Sequence, residues 1–460
     1  MVPERVKPLV DETAWLVERF RPAGHQLYLV GGVVRDAVLD RLEDGTDLDL
    51  TTDARPDDIK RLIRSEAEAV WDQGERFGTI GCRRRGREYE ITTHRAEAYS
   101  PDSRKPDVAF ADAVEADLSR RDFTVNAMAL RLPDLELVDP FDGLGDIAAR
   151  RLRTPLAAAE SFGDDPLRML RAARFLAGLE LQPDAELVKA VESMHDRLSI
   201  VSGERIRDEL DKLMVVEGDR IGRGLWFIVD TGLAAEFLPE LPALALEQDP
   251  IHRHKDVLAH TIAVVEKTTP DLVLRLAALF HDVGKPRTRS FGPGGVTFHH
   301  HEVVGARMTR ERMRALRYPS AMVDAVSRLV ELHLRFHTYK MGWTDSAVRR
   351  YVRDAGPLLT HLNELTRCDC TTRNPRKAEA LRRRIDEFEA RLAVLQEQEE
   401  LAAMRPDLDG RQVMDHLGVP PGPVVGEALG FLLELRLEEG PLGEEEARRR
   451  LDEWWSKRRS

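Results

Sequence analysis

The sequence predicts an α+β head followed by an all-α remainder, and three observations carry that division. Strand-like runs and turn glycines crowd between His25 and about Val138, strand signals almost vanish after Thr154, and apolar residues then recur at helical spacing. At 460 residues the chain is long enough for several domains and more than one buried core.

In the head, the apolar run Leu27 to Val30 reads as a strand, Gly31-Gly32 as a turn, and Val33 to Leu39 as the start of a helix. The alternation Asp47-Leu48-Asp49-Leu50-Thr51 reads as a second strand, and Phe77 to Arg83 with Glu88 to Thr93 as a hairpin turning near Gly86. Tyr99 to Asp107, with two prolines, serines and charge, reads as a mobile loop. Helical spacing follows in Leu167 to Leu176, Ile206 to Met214 and Leu225 to Leu233. Pro239, Pro242 and Pro250 mark a boundary, Gly292 to Gly295 an exposed turn, and Arg376 to Glu400 a long surface helix. The expected domains are 1–154 (head), 155–240 (helical neck), 241–375 and 376–460 (helical tail).

A formal charge of −12 argues against indiscriminate attraction to nucleic acid. Basic clusters at Arg83 to Arg87, Arg150 to Arg153, along Arg168, Arg171 and Arg174, and at Arg382 to Arg384 leave room for local positive fields, or for ordinary solvated faces. Cys82, Cys368 and Cys370 build no disulfide framework and no four-ligand zinc site, so a cytoplasmic protein is expected. Neither a signal peptide nor an apolar stretch of about 18 residues is visible, which excludes a helical membrane span.

Asp47 and Asp49 stand two apart on a strand, so both carboxylates point to one side while Leu48 and Leu50 face the other. Paired hard oxygens of this kind suit the divalent cations of nucleotidyl transfer. Gly31-Gly32, at a strand-to-helix turn, lets backbone amides approach a phosphate, and Arg35 follows one turn later. Each feature alone is common on protein surfaces. Their order and spacing favour a site.

Gly31-Gly32-Val33-Val34-Arg35-Asp36 followed by Asp47-Leu48-Asp49-Leu50-Thr51-Thr52 resembles the signature of the class II tRNA nucleotidyltransferases and bacterial poly(A) polymerases, within the DNA polymerase β superfamily. Arg120-Arg121-Asp122-Phe123-Thr124-Val125-Asn126-Ala127 is similar to their second motif, and Asp139 to Gly143 through Arg153 to their third. The resemblance implies a polymerase β-like head with Mg²⁺ on Asp47 and Asp49. It also implies the triphosphate on Gly31, Gly32, Arg35 and Arg121, and the ribose on Asp122, with Asn126 beside it. Glu90, on the adjacent expected strand, is a candidate third carboxylate or a plain hairpin residue.

Asp164-Asp165-Pro166-Leu167-Arg168-Met169-Leu170-Arg171 resembles the family's base-reading motif, with Asp164 where the family has Glu. This implies that Asp165 and Arg168, with Arg171 nearby, read the incoming base. A carboxylate accepts from an exocyclic amine while arginine donates to the ring, which matches both C and A. Helix capping is the competing role, since Pro166 suits the first helical position and either Asp164 or Asp165 would make a good N-cap. Ser202 to Leu210 resembles a fifth motif that supports the neck helix, and reads equally as an amphipathic helix with its Glu and Arg in solvent.

Downstream, His260, His281-Asp282, His301, His333 and Asp369 combine imidazole and carboxylate in the manner of transition-metal sites. Ala277-Ala278-Leu279-Phe280-His281-Asp282-Val283-Gly284-Lys285 resembles the hallmark of the HD phosphohydrolase superfamily. It implies a divalent transition metal on these residues, with His301 preferred over His300 and Asp369 competing with Asp345.

The combined expectation is template-independent addition of C and A to the 3′ end of tRNA from CTP and ATP, with a second, phosphohydrolase activity in the HD domain. CC-adding, A-adding and poly(A)-synthesising enzymes share nearly all of these motifs. From another class stand an HD-type nucleotide phosphohydrolase with a vestigial head, and an HD module that only supports RNA binding.

Overall fold

The computed structural model describes residues 6–42, 48–98, 107–246, 256–292, 295–338, 344–370, 375–399 and 405–459. By backbone contacts the chain divides into two units, Met1–Pro239 and Glu240–Ser460. Asp47 and the Tyr99 to Pro106 part of the expected loop lie outside the described residues.

The first unit is built on strands β1 (Leu27–Val30), β2 (Leu48–Thr52), β3 (Ala69–Trp71), β4 (Thr79–Arg84) and β5 (Arg87–Thr93). After a separate antiparallel pair, β6 (Arg95–Ala98) with β7 (Asp107–Phe110), come β8 (Ala129–Arg131) and β9 (Glu136–Val138). The main sheet has the order β3-β4-β5-β2-β1-β8-β9, with β2 and β5 parallel and the other neighbours antiparallel.

β1 is buried on both faces because it serves two cores. Leu27 and Leu29 pack with Leu16 and Phe20 of the helix Lys7–Phe20 and with Ile59 and Ile63 of the helix Pro56–Ile63. Tyr28 and Val30 join Val114, Leu118 and Ala129 on the other side. Leu48 and Leu50 of β2 enter the first core, and each is worth roughly 2 kcal/mol of apolar burial. They fix the register, since a slip of one residue would exchange Asp49 for a leucine on the open face. The β4–β5 hairpin turns through Arg85 (φ 53) and Gly86 (φ 75), a pair of left-handed residues suited to a two-residue turn.

Behind the sheet, β10 (Arg151–Leu152) pairs in parallel with β11 (Gln182–Pro183), two short strands in a region where strand signals fade. The neck helices Leu167–Gly178, Gly203–Met214 and Ile221–Asp230 pack closely. A Cβ at Gly224 would lie 2.6 Å from Leu213 and 2.7 Å from the Ala173 carbonyl, so a side chain there would push the helices apart.

The second unit is helical except for one antiparallel hairpin, Arg289–Gly292 (β12) with Gly295–Phe298 (β13), whose strands flank the expected Gly292 to Gly295 turn and depart from the all-α expectation. Both strands are too short for their pattern to stand out in the sequence. The long helix Pro375–Glu399 is likewise not wholly superficial, because Ile385, Phe388, Leu392 and Leu395 bury a stripe and Phe388 meets Tyr351 edge-on at 4.9 Å. The last helices, Gly410–Leu417, Pro423–Glu439 and Glu444–Arg459, enclose a small core of their own around Leu432 and Leu451. Among the described residues no helix is long and apolar enough to cross a membrane.

Candidate active site and metal centre

β2 brings Asp49 to the open face of the sheet while its neighbours Leu48 and Leu50 are 1% exposed. The parallel partner of Asp49 on β5 is Glu90, also exposed, and adjacent strands stand about 4.8 Å apart. Two hard carboxylates therefore lie side by side, a donor set that fits a magnesium-like cation.

The glycine bend adjoins them. Gly31 has φ +76, a left-handed conformation that favours glycine, and caps the helix Gly32–Val38. A Cβ there would fall 2.8 Å from Arg121 Nη1 and 3.9 Å from Asp49 Oδ2, so the missing side chain leaves a cradle bordered by a guanidinium and a carboxylate. Arg121 is steadied by Asp117 at 3.2 Å, an aspartate with no exposed side-chain surface that also holds Arg120 at 2.6 Å.

From this bend a polar chain runs into the neck. Arg35 donates from Nη1 to Asn126 Oδ1 (2.6 Å) and forks onto Asp36 (2.8 Å). Asn126 Nδ2 donates to Asp122 Oδ1 at 2.9 Å, and Asp122 Oδ2 accepts from Arg171 Nε (2.9 Å) and Nη2 (2.5 Å). Arg171 Nη1 reaches Glu209 at 3.1 Å, which also takes Arg174 at 2.8 Å. Burial alone would raise the Asp122 carboxyl, but the Arg171 charge and the Asn126 and Arg171 hydrogen bonds hold it down at about 2. Glu209, 3% exposed, is held below its ordinary value against burial by Arg174 and Arg171. The fifth segment thus turns a glutamate inward where the sequence allows it to face solvent.

Asp165 does cap: its Oδ1 accepts from the Leu167 amide at 3.1 Å, while Oδ2 pairs with Arg205 at 2.7 Å. Arg168 is buried and anchored, donating to Ser161 Oγ (2.9 Å) and to the Arg120 carbonyl (2.6 Å). Sequence reasoning missed Asp117, Ser161 and Glu209 as supports. Only the tertiary pairing of distant segments singles them out.

In the second unit, the residues expected around His281 converge. His260, His281 and Asp369 form one potential ligand triad and Asp282, His301 and His333 another, with the ligand atoms of each within 4.8 Å of one another. Asp282 joins them: Oδ2 lies 3.2 Å from His281 Nε2 and 3.5 Å from His260 Nε2, and Oδ1 lies 3.4 Å from His301 Nε2 and 4.0 Å from His333 Nε2. Three rings are aimed by their backs, since Nδ1 of His281, His301 and His333 engages the carbonyls of Ala278, Phe298 and Val330 at 2.6 to 2.8 Å. That hydrogen bond fixes the tautomer that turns Nε2 inward, as metal-binding imidazoles require. A Cβ at Gly284 would strike the His301 carbonyl at 2.1 Å, so only glycine lets the His281–Asp282 turn approach the helix His301–Ala315 this closely.

Burial pushes His333 down to about 3, with the His281 charge acting the same way, so its ring is neutral at ordinary pH. His281 is raised despite burial, because Asp282 and Asp369 favour its charged form. Asp282 and Asp369 are held low against burial, Asp282 by His281 and Lys285 and Asp369 by His260 and His281. Of the two aspartates, Asp369 joins the cluster, 3.0 Å from His260, whereas Asp345 pairs with Arg391 Nε at 2.6 Å. Likewise His301 is buried, and His300 has 84% of its side chain exposed. Nitrogen and oxygen donors in two triads sharing a carboxylate fit a pair of transition-metal ions.

The poly(A) polymerase head domain family matches residues 27–153, the probable RNA- and SrmB-binding site of polymerase A matches residues 180–244, and the HD domain matches residues 257–374. The head and HD families are metal-dependent. An A-adding tRNA nucleotidyltransferase of Deinococcus radiodurans is 37% identical over 360 residues, covering 74% of this chain and 79% of that protein. A CCA-adding enzyme of Lactobacillus gasseri is 39% identical over 222 residues, and the chain spans about half of its length, 54%, with 48% of its own. The structure of the Bacillus stearothermophilus CCA-adding enzyme in complex with CTP superposes with a TM-score of 0.70 over 98% of both chains at 24% identity, a likeness of fold.

Proposed function

We propose that this chain, which belongs to the tRNA nucleotidyltransferase family, adds C and A to the 3′ end of tRNA from CTP and ATP without a nucleic-acid template. The observation that carries this reading is the position of Asp49 and Arg121 at the Gly31 cradle, with Glu90 on the next strand. Asp47, Asp49 and Glu90 would hold Mg²⁺. When bound, that ion favours the alkoxide of the attacking 3′ hydroxyl and neutralises charge on the triphosphate.

The remaining work belongs to side chains. Gly31 and Gly32 admit the polyphosphate to their backbone amides, and Arg121 and Arg35 offset its charge. Asp122, kept ionised, accepts from the ribose, and Asn126 holds that carboxylate in place. Arg171 ties the ribose site to the neck, so nucleotide contacts from sheet and helix move as one frame. Asp165 and Arg168 match the exocyclic amine and ring acceptor of C and A. The anchoring of Arg168 on Ser161 and the Arg120 carbonyl supports this, because a fixed guanidinium discriminates by geometry. The cytoplasm is the compartment these substrates imply.

The paired triads around Asp282 favour a second reading alongside the first, hydrolysis of a phosphoester in the HD domain with a divalent transition metal. Incubating the protein with tRNA lacking its CCA end and labelled CTP, ATP or both, then sizing the products, tests the main reading. CTP alone should add two residues and both together three. Addition of A only to tRNA already ending in CC, or open-ended A tracts, would overturn it.

A further inference from the structure

We propose that the β12–β13 hairpin is the base-recognition platform of the HD centre, so that the phosphoester taken there belongs to a nucleotide rather than to a bare sugar or inorganic phosphate. This rests on the reading of the histidine and aspartate cluster as a phosphoester site. The hairpin interrupts the ligand sequence itself, leaving the chain after His281–Asp282 and returning directly into His301.

Its link to the cluster is made through named groups. Phe298, the last residue of β13, receives the His301 Nδ1 hydrogen bond on its carbonyl at 2.8 Å. Its ring lies 5.7 Å from Lys285 Nζ, and the same Nζ is 2.6 Å from Oδ2 of Asp282, the carboxylate shared by both triads. Across the hairpin Phe298 pairs with Arg289, and Val296 with Phe291. Residues in register or two apart on a strand share a face, so the Phe298, Val296 and Phe291 side of the hairpin leads outward from Lys285.

At its outer end stands an anomaly for a structural role. Phe291 is 66% exposed, the most exposed large hydrophobic side chain among the described residues, with the Arg289 guanidinium 4.8 Å from its ring centre. An exposed phenyl backed by a guanidinium is the kind of surface on which bases stack. Two residues of strand correspond to about 7 Å, and in a nucleotide a ribose separates the base from the phosphate. A phosphate at Lys285 and the cluster therefore leaves its base at Phe291, with Arg289 adding positive potential along the way.

The test uses full-length protein and a readout independent of turnover. In Phe291→Trp, AMP should quench the added indole emission saturably, and ribose 5-phosphate should not. Phe291→Ala should bind AMP at this centre about tenfold more weakly, measured by competition with a fluorescent nucleotide that His281→Ala fails to retain, while tRNA 3′ extension is unchanged. Unaltered Phe291→Trp emission at millimolar AMP, or equal affinity in Phe291→Ala, overturns the proposal. Phosphate release from AMP by the wild-type protein with added Mn²⁺, Co²⁺, Ni²⁺ or Mg²⁺ reports separately on the phosphoester reading. If that activity is absent the hydrolytic reading fails, and the binding result still decides whether the hairpin holds a base.

Discussion

The two candidate centres set their potential cation donors in opposite surroundings. On the sheet, Asp49 and Glu90 face outward and the leucines beside Asp49 do the burying. In the HD domain the centre of the donor cluster is buried, His281, Asp282 and His333 being at most 1% exposed, with backbone carbonyls behind the two rings. A nucleotidyl-transfer site must admit a triphosphate and an RNA end and then release pyrophosphate, so its acidic groups stay hydrated. A buried cluster pays desolvation at folding and has its geometry set before any ligand arrives.

The sharpest way to break this comparison is to disable each centre alone. Asp49→Ala should lower nucleotide incorporation by roughly 10³-fold or more, the loss expected when several kcal/mol of charge stabilisation disappear, and should leave phosphoester hydrolysis intact. His281→Ala should do the reverse. Parallel rate measurements of tRNA extension and phosphate release check both, and the loss of both activities in either variant would show that the centres are not independent.

A smaller effect sharpens the description of the open site. If Glu90 shares the cation with Asp49, Glu90→Ala should cost about a hundredfold in incorporation, with the rate partly restored by raised Mg²⁺. A change below threefold would return Glu90 to an ordinary residue of β5.

Parts of both centres are legible in the sequence. The Leu48-Asp49-Leu50 alternation states which side chains of β2 face outward, and the Gly31-Gly32 pair marks the bend, because both depend on local geometry alone. The histidines of the HD centre were legible as a set, but Asp369 and Asp345 were indistinguishable, since the answer depends on which helix end meets His260. Glu209 was illegible for a similar reason: a glutamate on an amphipathic helix looks solvated until Arg171 and Arg174 arrive from another segment. The buried stripe Ile385, Phe388, Leu392 and Leu395 was a different case. Its 3-4-3 spacing was present in the sequence, masked by the surrounding Glu and Arg.

The weakest expected effect concerns the frame between sheet and neck. Asp122 falls from the ordinary 3.8 to about 2 in the folded protein. A depressed carboxyl contributes stability that is complete above the unfolded value and is lost as pH falls through the folded one, so this group supplies about 2 kcal/mol at neutral pH that drains away between about pH 4 and 2. Asp122→Asn should be less stable than the wild type at pH 7 by about that amount and should lose less stability on acidification, the two unfolding curves converging toward pH 2. Denaturant titrations at several pH values would measure this. A constant offset between the curves would mean that the Asp122–Arg171 pair is not what couples the ribose contact to the helix Leu167–Gly178.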